Sequence, residues 1–200
     1  FMLAGEIMNV GGLSRRIVTL ALAIVGHVRG GLGYVTIMAG CLLAALSGSA
    51  VADAAALTAL LLPMMVRAGH DKARAGGLIA ATGIIAPVLP PSIGLIIFGV
   101  AANVSISKLF MAGIAPGLMI GMALWFTWWW LVRKDKFVAP PRQPRAVVVQ
   151  ALRDAAWALM LPVIILVGLR MGVFTPTEAA VVAAVCLLYT SDAADEGLGV

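Results

Sequence analysis

The chain has 200 residues, of which 62% are hydrophobic and only 12% charged, with a formal net charge of +5. A soluble domain is roughly half apolar and about a quarter charged, so at a mean hydropathy of +1.05 there is too little polar surface here to cover a water-soluble globule. The positive charge does not point to nucleic acid either: apart from Lys108 and Arg170, the cations fall in groups between apolar blocks, at Arg15, Arg16 and Arg29, at Arg67, Lys72 and Arg74, and from Arg133 to Arg153, the distribution by which Lys and Arg mark cytoplasmic loops.

In chain order, residues 1–32 predict the end of a membrane segment followed by an amphipathic arm. Phe1 already lies inside an apolar run, which leads to the expectation that more chain precedes it. Leu13–Val28 is a Leu, Ile and Val stretch interrupted by Arg15, Arg16 and His27. That pattern suits a helix lying along the interface; a short spanning helix is the other reading.

Residues 33–75 are apolar up to Val66, but Ser47-Gly48-Ser49 and Asp53 interrupt the middle of that run, and Arg29 and Arg67 flank it. Cationic flanks at both ends predict entry and exit on one face. Each arm then holds about 14–17 residues, about 21–25 Å, short of the roughly 30 Å of hydrocarbon. The expectation is a re-entrant helical hairpin with its tip near Ser47–Asp53.

Residues 76–132 predict a broken transmembrane helix and a return helix. The first contains Thr82-Gly83 and then Pro87, Pro90, Pro91, Ser92 and Gly94. Each proline removes a backbone donor and clashes with the preceding turn, so the helix breaks there, at a depth where free backbone is tolerated only inside protein or along a cavity. Leu109–Val132 returns and ends in Trp125, Trp128, Trp129 and Trp130, a belt expected at the membrane–water interface. Residues 133–154, with Pro140, Pro141 and Pro144, predict a stiff cytoplasmic linker rather than a helix. Residues 155–185 predict another transmembrane helix, followed by what the family resemblance given below implies is the start of a second repeat. Residues 186–200 end the apolar pattern with three acids, and Cys186–Glu196 looks like a translated sequencing adapter, so a non-native tail is expected after Val185.

The fold class predicted is therefore an all-α membrane protein, a polytopic helical transporter fragment with a re-entrant hairpin and a broken transmembrane helix. A polar, glycine-containing turn at membrane depth is expensive unless it binds something. Serine hydroxyls, carbonyls and the Asp53 carboxyl are hard oxygen donors of the kind a small cation needs. The break at Pro87–Gly94 frees carbonyls and opens a new helix N-terminus near Ser92, which suits an anion. The two elements are expected to meet near the middle of the membrane. Alternatives stand beside these roles: Ser47 and Ser49 as small residues at a packing seam, and Asp53 as a helix cap. Cys41 and Cys186 read as inert buried thiols. An intramembrane enzyme is disfavoured, since His27 and His70 lie near basic loops and Asp53 has no acidic partner at membrane depth.

Six blocks carry a resemblance: Phe1–Met8 with Gly11-Gly12-Leu13, Gly26–Leu32, Ser47–Asp53, Pro90–Ile93, Leu109–Gly117 and Phe174–Ala180. In this order they resemble the large permease subunit of the tripartite ATP-independent periplasmic (TRAP) transporters, DctM-type. The resemblance implies a multi-pass protein of the bacterial inner membrane, an elevator-type symporter with sodium as coupling ion and no other cofactor. It implies a small TRAP membrane subunit, a periplasmic substrate-binding protein and an organic acid substrate such as a C4-dicarboxylate or sialic acid. Ser47, Gly48, Ser49, Asp53, Pro91 and Ser92 would belong to the ion and substrate region, with Ser47, Ser49 and Ser92 as candidate sodium ligands; Thr82, Gly83 and Gly94 complete the candidate set. Thr58 and Phe98 depart from the family pattern. A divalent-anion or citrate symporter working without a binding protein is the alternative. Glu178, after Thr175-Pro176, reads either as part of a helix cap or as an ion-coupling carboxylate.

Overall fold

The computed structural model describes residues 12–133 and 143–171, and beyond them 173, 175, 178, 179, 181, 182 and 184–186. The Phe1–Gly11 block, residues 134–142 and residues 187–200 lie outside the described residues, so neither the first motif block nor most of the expected tail is placed; Cys186 itself packs half-buried against the core. Among the described residues the regular structure is helical: α1 (Leu13–Val25), α2 (Gly31–Ser47), α3 (Ala50–Arg67), α4 (Lys72–Gly83), α5 (Ile93–Ala101), α6 (Ile106–Val132) and α7 (Arg145–Arg170).

α2 is the central element, touching α1, α3, α4, α6 and α7. It is apolar throughout and buries Val35, Ile37, Ala39 and Leu43 in more than one direction, as a helix without a polar face must. α1 packs between α2 and α7, which is why its buried set runs from Leu13 and Ile17 to Leu20 and Ala23 rather than along one stripe. α2 and α3 form the expected hairpin, turning through Gly48 and Ser49 alone. With so short a turn α3 keeps 18 residues and is apolar and long enough to cross a membrane. The short-arm argument therefore does not hold for α3, and re-entry rests on charge placement and on depth.

Depth is set by α6, 27 residues long, about 40 Å. It runs antiparallel to α2, with Val132 against Gly30, Trp128 against Gly33 and Gly121 against Cys41. Gly113, Gly117 and Gly121, spaced by four, make one smooth seam: a methyl group on Gly113 would lie 2.6 Å from the Val88 carbonyl oxygen, one on Gly117 2.8 Å from Leu89, and one on Gly121 3.1 Å from the Cys41 sulfur. Small residues at this spacing let backbones approach closely. The chain around Val88 thus meets α6 about two turns from its N-terminal end, and α6 continues roughly 10 Å beyond.

The helix expected over 76–102 is broken as the prolines require. α4 stops at Gly83, the chain turns through Ile84–Pro91, and α5 restarts after Ser92. Ile85, Ala86 and Leu89 of the break are buried against Ala44 of α2 and beside Ile120 and Leu124 of α6, so one side of the irregular backbone is covered by protein, while Ile84 and Pro87 are exposed.

Two expectations are corrected. The linker read as 133–154 is shorter at its C-terminal side, because α7 begins at Arg145. Pro144 precedes the helix and its carbonyl accepts from Val147 and Val148, a position where proline costs nothing; Ala151 and Ala155 then bury against Leu20 and Ala23 of α1. α7 bends by 45° between Arg145–Ala156 and Leu159–Gly168, next to Pro162, whose missing N–H opens the helix there. The second correction concerns the tryptophan belt. Trp125, Trp129 and Trp130 are partly exposed, but Trp128 is 2% exposed, donates from Nε1 to the Gly30 carbonyl at 3.0 Å and packs against His70 in a tilted ring contact at 5.6 Å. It ties the start of α2, the α3–α4 loop and the end of α6 into one end of the bundle.

That contact yields a test. A methyl group on Gly33 would collide with the Trp128 ring, and overpacking of this kind costs about 1–3 kcal/mol. Gly33→Ala is expected to lower the melting temperature of the purified permease, whereas Gly77→Ala, with open space at its Cβ, is not.

Candidate functional site

The hairpin tip is built from a helix end and a helix start. Gly48 ends α2 at φ 61, ψ 14, with its N–H donating to the Ala44 carbonyl. The left-handed conformation suits glycine because it carries no Cβ. Ser49 is extended and caps α3, its hydroxyl oxygen accepting from the Ala52 N–H at 3.5 Å. The Ser47 hydroxyl donates to Asp53 Oδ1 at 2.6 Å and accepts from the Ser49 N–H at 3.1 Å. Ser47 is 0% and Asp53 1% exposed. Asp53 Oδ2 is buried with no hydrogen-bond partner. The cap belongs to Ser49; Asp53 sits in the first turn of α3 and reaches back across the tip to Ser47.

The break is organised by Ser92. Its hydroxyl donates to the Pro87 carbonyl at 2.6 Å and accepts from the Leu95 N–H at 3.3 Å, closing the loop and capping α5. The Pro90–Pro91 peptide is cis.

The two elements meet. A methyl group on Gly48 would lie 2.5 Å from the Pro91 carbonyl oxygen, 3.3 Å from Ser92 Cα and 3.4 Å from the Ile93 nitrogen. Ser47, Gly48, Ser49 and Asp53 therefore form one hydrogen-bonded tip lying against Pro91 and Ser92. Gly83 joins them from α4, where a Cβ would stand 3.1 Å from the Ala50 carbonyl oxygen and 3.3 Å from Ala54 of α3. Gly94 lies on the first turn of α5, near the Ser92 hydroxyl and the Pro87 carbonyl. The Thr82 hydroxyl donates to the Leu78 carbonyl of its own helix at 2.8 Å, and its methyl packs over Gly40 of α2.

Of the carbonyls expected to be freed at the break, that of Pro87 closes it by accepting from Ser92. One contributor was missed: Gly113 of α6 lets the neighbouring Val88 carbonyl seat against the return helix. The four-residue glycine spacing at 113, 117 and 121 was the available signal for it.

The donor set suits a hard cation. An unpartnered buried carboxyl oxygen, the Ser47 and Ser49 hydroxyls and the carbonyls of the break are all oxygen ligands. Among the described residues no three His, Cys, Asp or Glu side chains gather as a metal centre. Glu178 belongs elsewhere: its Oε2 accepts from the Thr175 N–H at 2.8 Å and the Thr175 hydroxyl at 2.9 Å, while its own N–H donates to Thr175 Oγ1 at 3.3 Å. This reciprocal capping box starts a helix.

Known proteins similar to this chain fall in one family. The family model for the tripartite ATP-independent periplasmic transporter, DctM component, matches residues 1–196. The chain is 56% identical over 194 residues to the 2,3-diketo-L-gulonate TRAP transporter large permease protein YiaN of Escherichia coli K12, covering 96% of this chain and 45% of that one. It is 42% identical over 185 residues to the C4-dicarboxylate TRAP transporter large permease protein DctM of Pseudomonas aeruginosa, covering 92% and 43%. It is also 42% identical over 184 residues to the sialic acid TRAP transporter permease protein SiaT of Haemophilus influenzae, covering 92% and 30%. The chain thus spans less than half the length of each of these relatives. It belongs to the DctM family of TRAP transporter large permease subunits, which are inner-membrane transporter components and not enzymes.

Proposed function

We propose that this segment forms one ion-binding half of a permease that takes up an organic acid in symport with sodium. The observation that carries the reading is the junction of the Gly48 tip with Pro91-Ser92-Ile93 beside the unpartnered Asp53 Oδ2. A buried carboxyl oxygen without a donor is costly in hydrocarbon, and a sodium ion shared between the tip and the break would satisfy it. Asp53 Oδ2 and the Ser47 and Ser49 hydroxyls are the residues we assign to hold it, with the Ser92 region completing the shell. Bound there, the ion would supply positive charge beside the substrate site. The N-terminus of α5 at Ser92 would face the carboxylate of the substrate. The three relatives above are named for 2,3-diketo-L-gulonate, C4-dicarboxylates and sialic acid, all carboxylic acids, and the first of these names favours an oxidised sugar acid here. A small TRAP membrane subunit and a periplasmic substrate-binding protein are the proposed partners.

The test is uptake of labelled organic acid by the intact permease in proteoliposomes, with and without a sodium gradient and the binding protein. Uptake should require both. The Ser49→Ala, Ser92→Ala double variant should weaken sodium activation about tenfold or more, since each loses a cap worth about 1 kcal/mol as well as a hydroxyl ligand. Unchanged sodium dependence in that variant would exclude the assigned site. Uptake without a binding protein would favour a divalent-anion or citrate-type symporter.

For the topology, the proposed orientation puts Arg29, the Arg67–Arg74 loop and the stretch from Arg133 on the cytoplasmic side, with Lys108 periplasmic. The structure supports placing the first three together, because Trp128 binds Gly30 and His70 at one end of the bundle. Single cysteines at 108 should react with an impermeant thiol reagent in intact cells and those at 29, 72 and 133 should not; the reverse pattern inverts the orientation.

A further inference from the structure

The basic groups of this sequence do more than set orientation. Trp128 brings the α1–α2 loop, the α3–α4 loop and the end of α6 together, and Gly30 lies directly against Val132. Arg29 and Arg133 are the immediate chain neighbours of that last contact. Arg67, Lys72 and Arg74 flank His70, which packs on Trp128. All five of these cations are exposed. Asp71 is the one acid in the three segments, and its carboxyl is engaged at the start of α4, accepting from the Arg74 N–H at 2.9 Å. Arg29, Arg67, Lys72 and Arg133 thus place four exposed positive charges at this end of the bundle.

An apolar surface begins beside it. Phe126 and Trp129 pack together at 5.4 Å on the outer face of α6. Trp125 and Trp130 are exposed on the same helix, with Met119 and Met122 further along it. The Arg133 guanidinium lies 4.7 Å from the centroid of the Trp129 ring, a planar group whose N–H donors match a phosphate. Charge at the end and apolar aromatic surface one turn away match an amphiphile whose headgroup is anionic and whose chains run along α6.

We propose that this end is a docking surface for an anionic phospholipid, its phosphodiester held by Arg29, Arg67 and Arg133 and its acyl chains lying over Trp129, Trp130 and Phe126. Juxtamembrane basic clusters bind such headgroups through charge and lose about fivefold in affinity for each basic residue removed.

The experiment is native mass spectrometry of the intact permease titrated with phosphatidylglycerol, with phosphatidylcholine of the same chains as the zwitterionic comparison and inorganic phosphate as a soluble competitor. Phosphatidylglycerol should be retained in preference to phosphatidylcholine. The Arg29→Gln, Arg67→Gln, Arg133→Gln variant should bind it at least about 30-fold more weakly. If that variant does not purify, Arg29→Gln alone should weaken binding about fivefold, and the triple Arg→Lys variant should retain it. Equal retention of the two lipids, or undiminished phosphatidylglycerol binding by the Gln variants, overturns the proposal. Displacement of the lipid by equimolar inorganic phosphate overturns it in favour of a free-anion site.

Discussion

Gly48→Ala is expected to reduce uptake by at least about tenfold, and Gly48→Val to abolish it. Two costs fall on the same atom. A non-glycine residue at φ 61 is disfavoured by roughly 1–2 kcal/mol, and the added carbon would stand 2.5 Å from the Pro91 carbonyl oxygen. That neighbour is backbone, held by the Ser92–Pro87 hydrogen bond, and cannot swing aside as a flexible side chain would. Either the tip or the break must shift, and each holds part of the proposed ion site. Uptake rate and melting temperature should therefore fall together. Gly77→Ala provides the control: its Cβ meets nothing within 4 Å, and alanine in a helix is favoured over glycine by up to about 1 kcal/mol. Wild-type uptake by Gly48→Ala would show that the tip and the break do not bear on one another during transport.

Asp53→Asn should separate binding from structure. The carboxamide keeps an oxygen to accept the Ser47 hydroxyl, so the 2.6 Å bond and the fold of the tip survive. What disappears is the negative charge at Oδ2. Losing one member of a buried charge interaction costs about 2–5 kcal/mol, so the apparent sodium affinity should drop by about 30-fold or more. The measurements are the sodium activation curve of uptake and sodium-dependent thermal stabilisation of the purified permease. A variant that keeps wild-type sodium affinity would assign Asp53 a purely structural role. Ser47→Ala supplies the complementary case: it removes the hydrogen-bond partner of Asp53 and strands the Ser49 N–H, a loss of about 1–3 kcal/mol in stability even without an ion.

Family membership also explains why so much apolar surface is exposed. Ile97, Phe98 and Val100 of α5, with Met119, Met122 and Phe126 of α6, face outward, large apolar side chains of the kind that meet hydrocarbon along a membrane helix. In an inner-membrane permease such surface meets lipid or further protein.

What the sequence determined by itself was the set of local breaks. Glycine at 48, prolines at 87, 90 and 91, and the serines that cap the next helices act through backbone chemistry within a few residues, so the hairpin turn and the interrupted helix were legible without tertiary information. The polar turn was recognisable as a site for the same reason: Ser47, Ser49 and Asp53 have no local excuse in an apolar run. Where the outcome depended on a partner helix, local reading failed. Pro144 signalled a linker, but Ala151 and Ala155 find α1 and the helix starts at Arg145. Trp128 had the composition of a belt residue, yet its position on the inner face of α6 sends it into the hole left by Gly33, while its neighbours Trp129 and Trp130 turn outward. The seat of the Thr82 methyl over Gly40 of α2 is likewise a contact that no local pattern announces. That the tip and the break meet was expected from their shared need for backbone partners; that Gly48 abuts the Pro91 carbonyl oxygen, across segments more than forty positions apart, only the tertiary structure decided. It is fixed by the α2–α6 interlock of glycines and large side chains, a complementarity of surfaces that no local pattern of residues encodes.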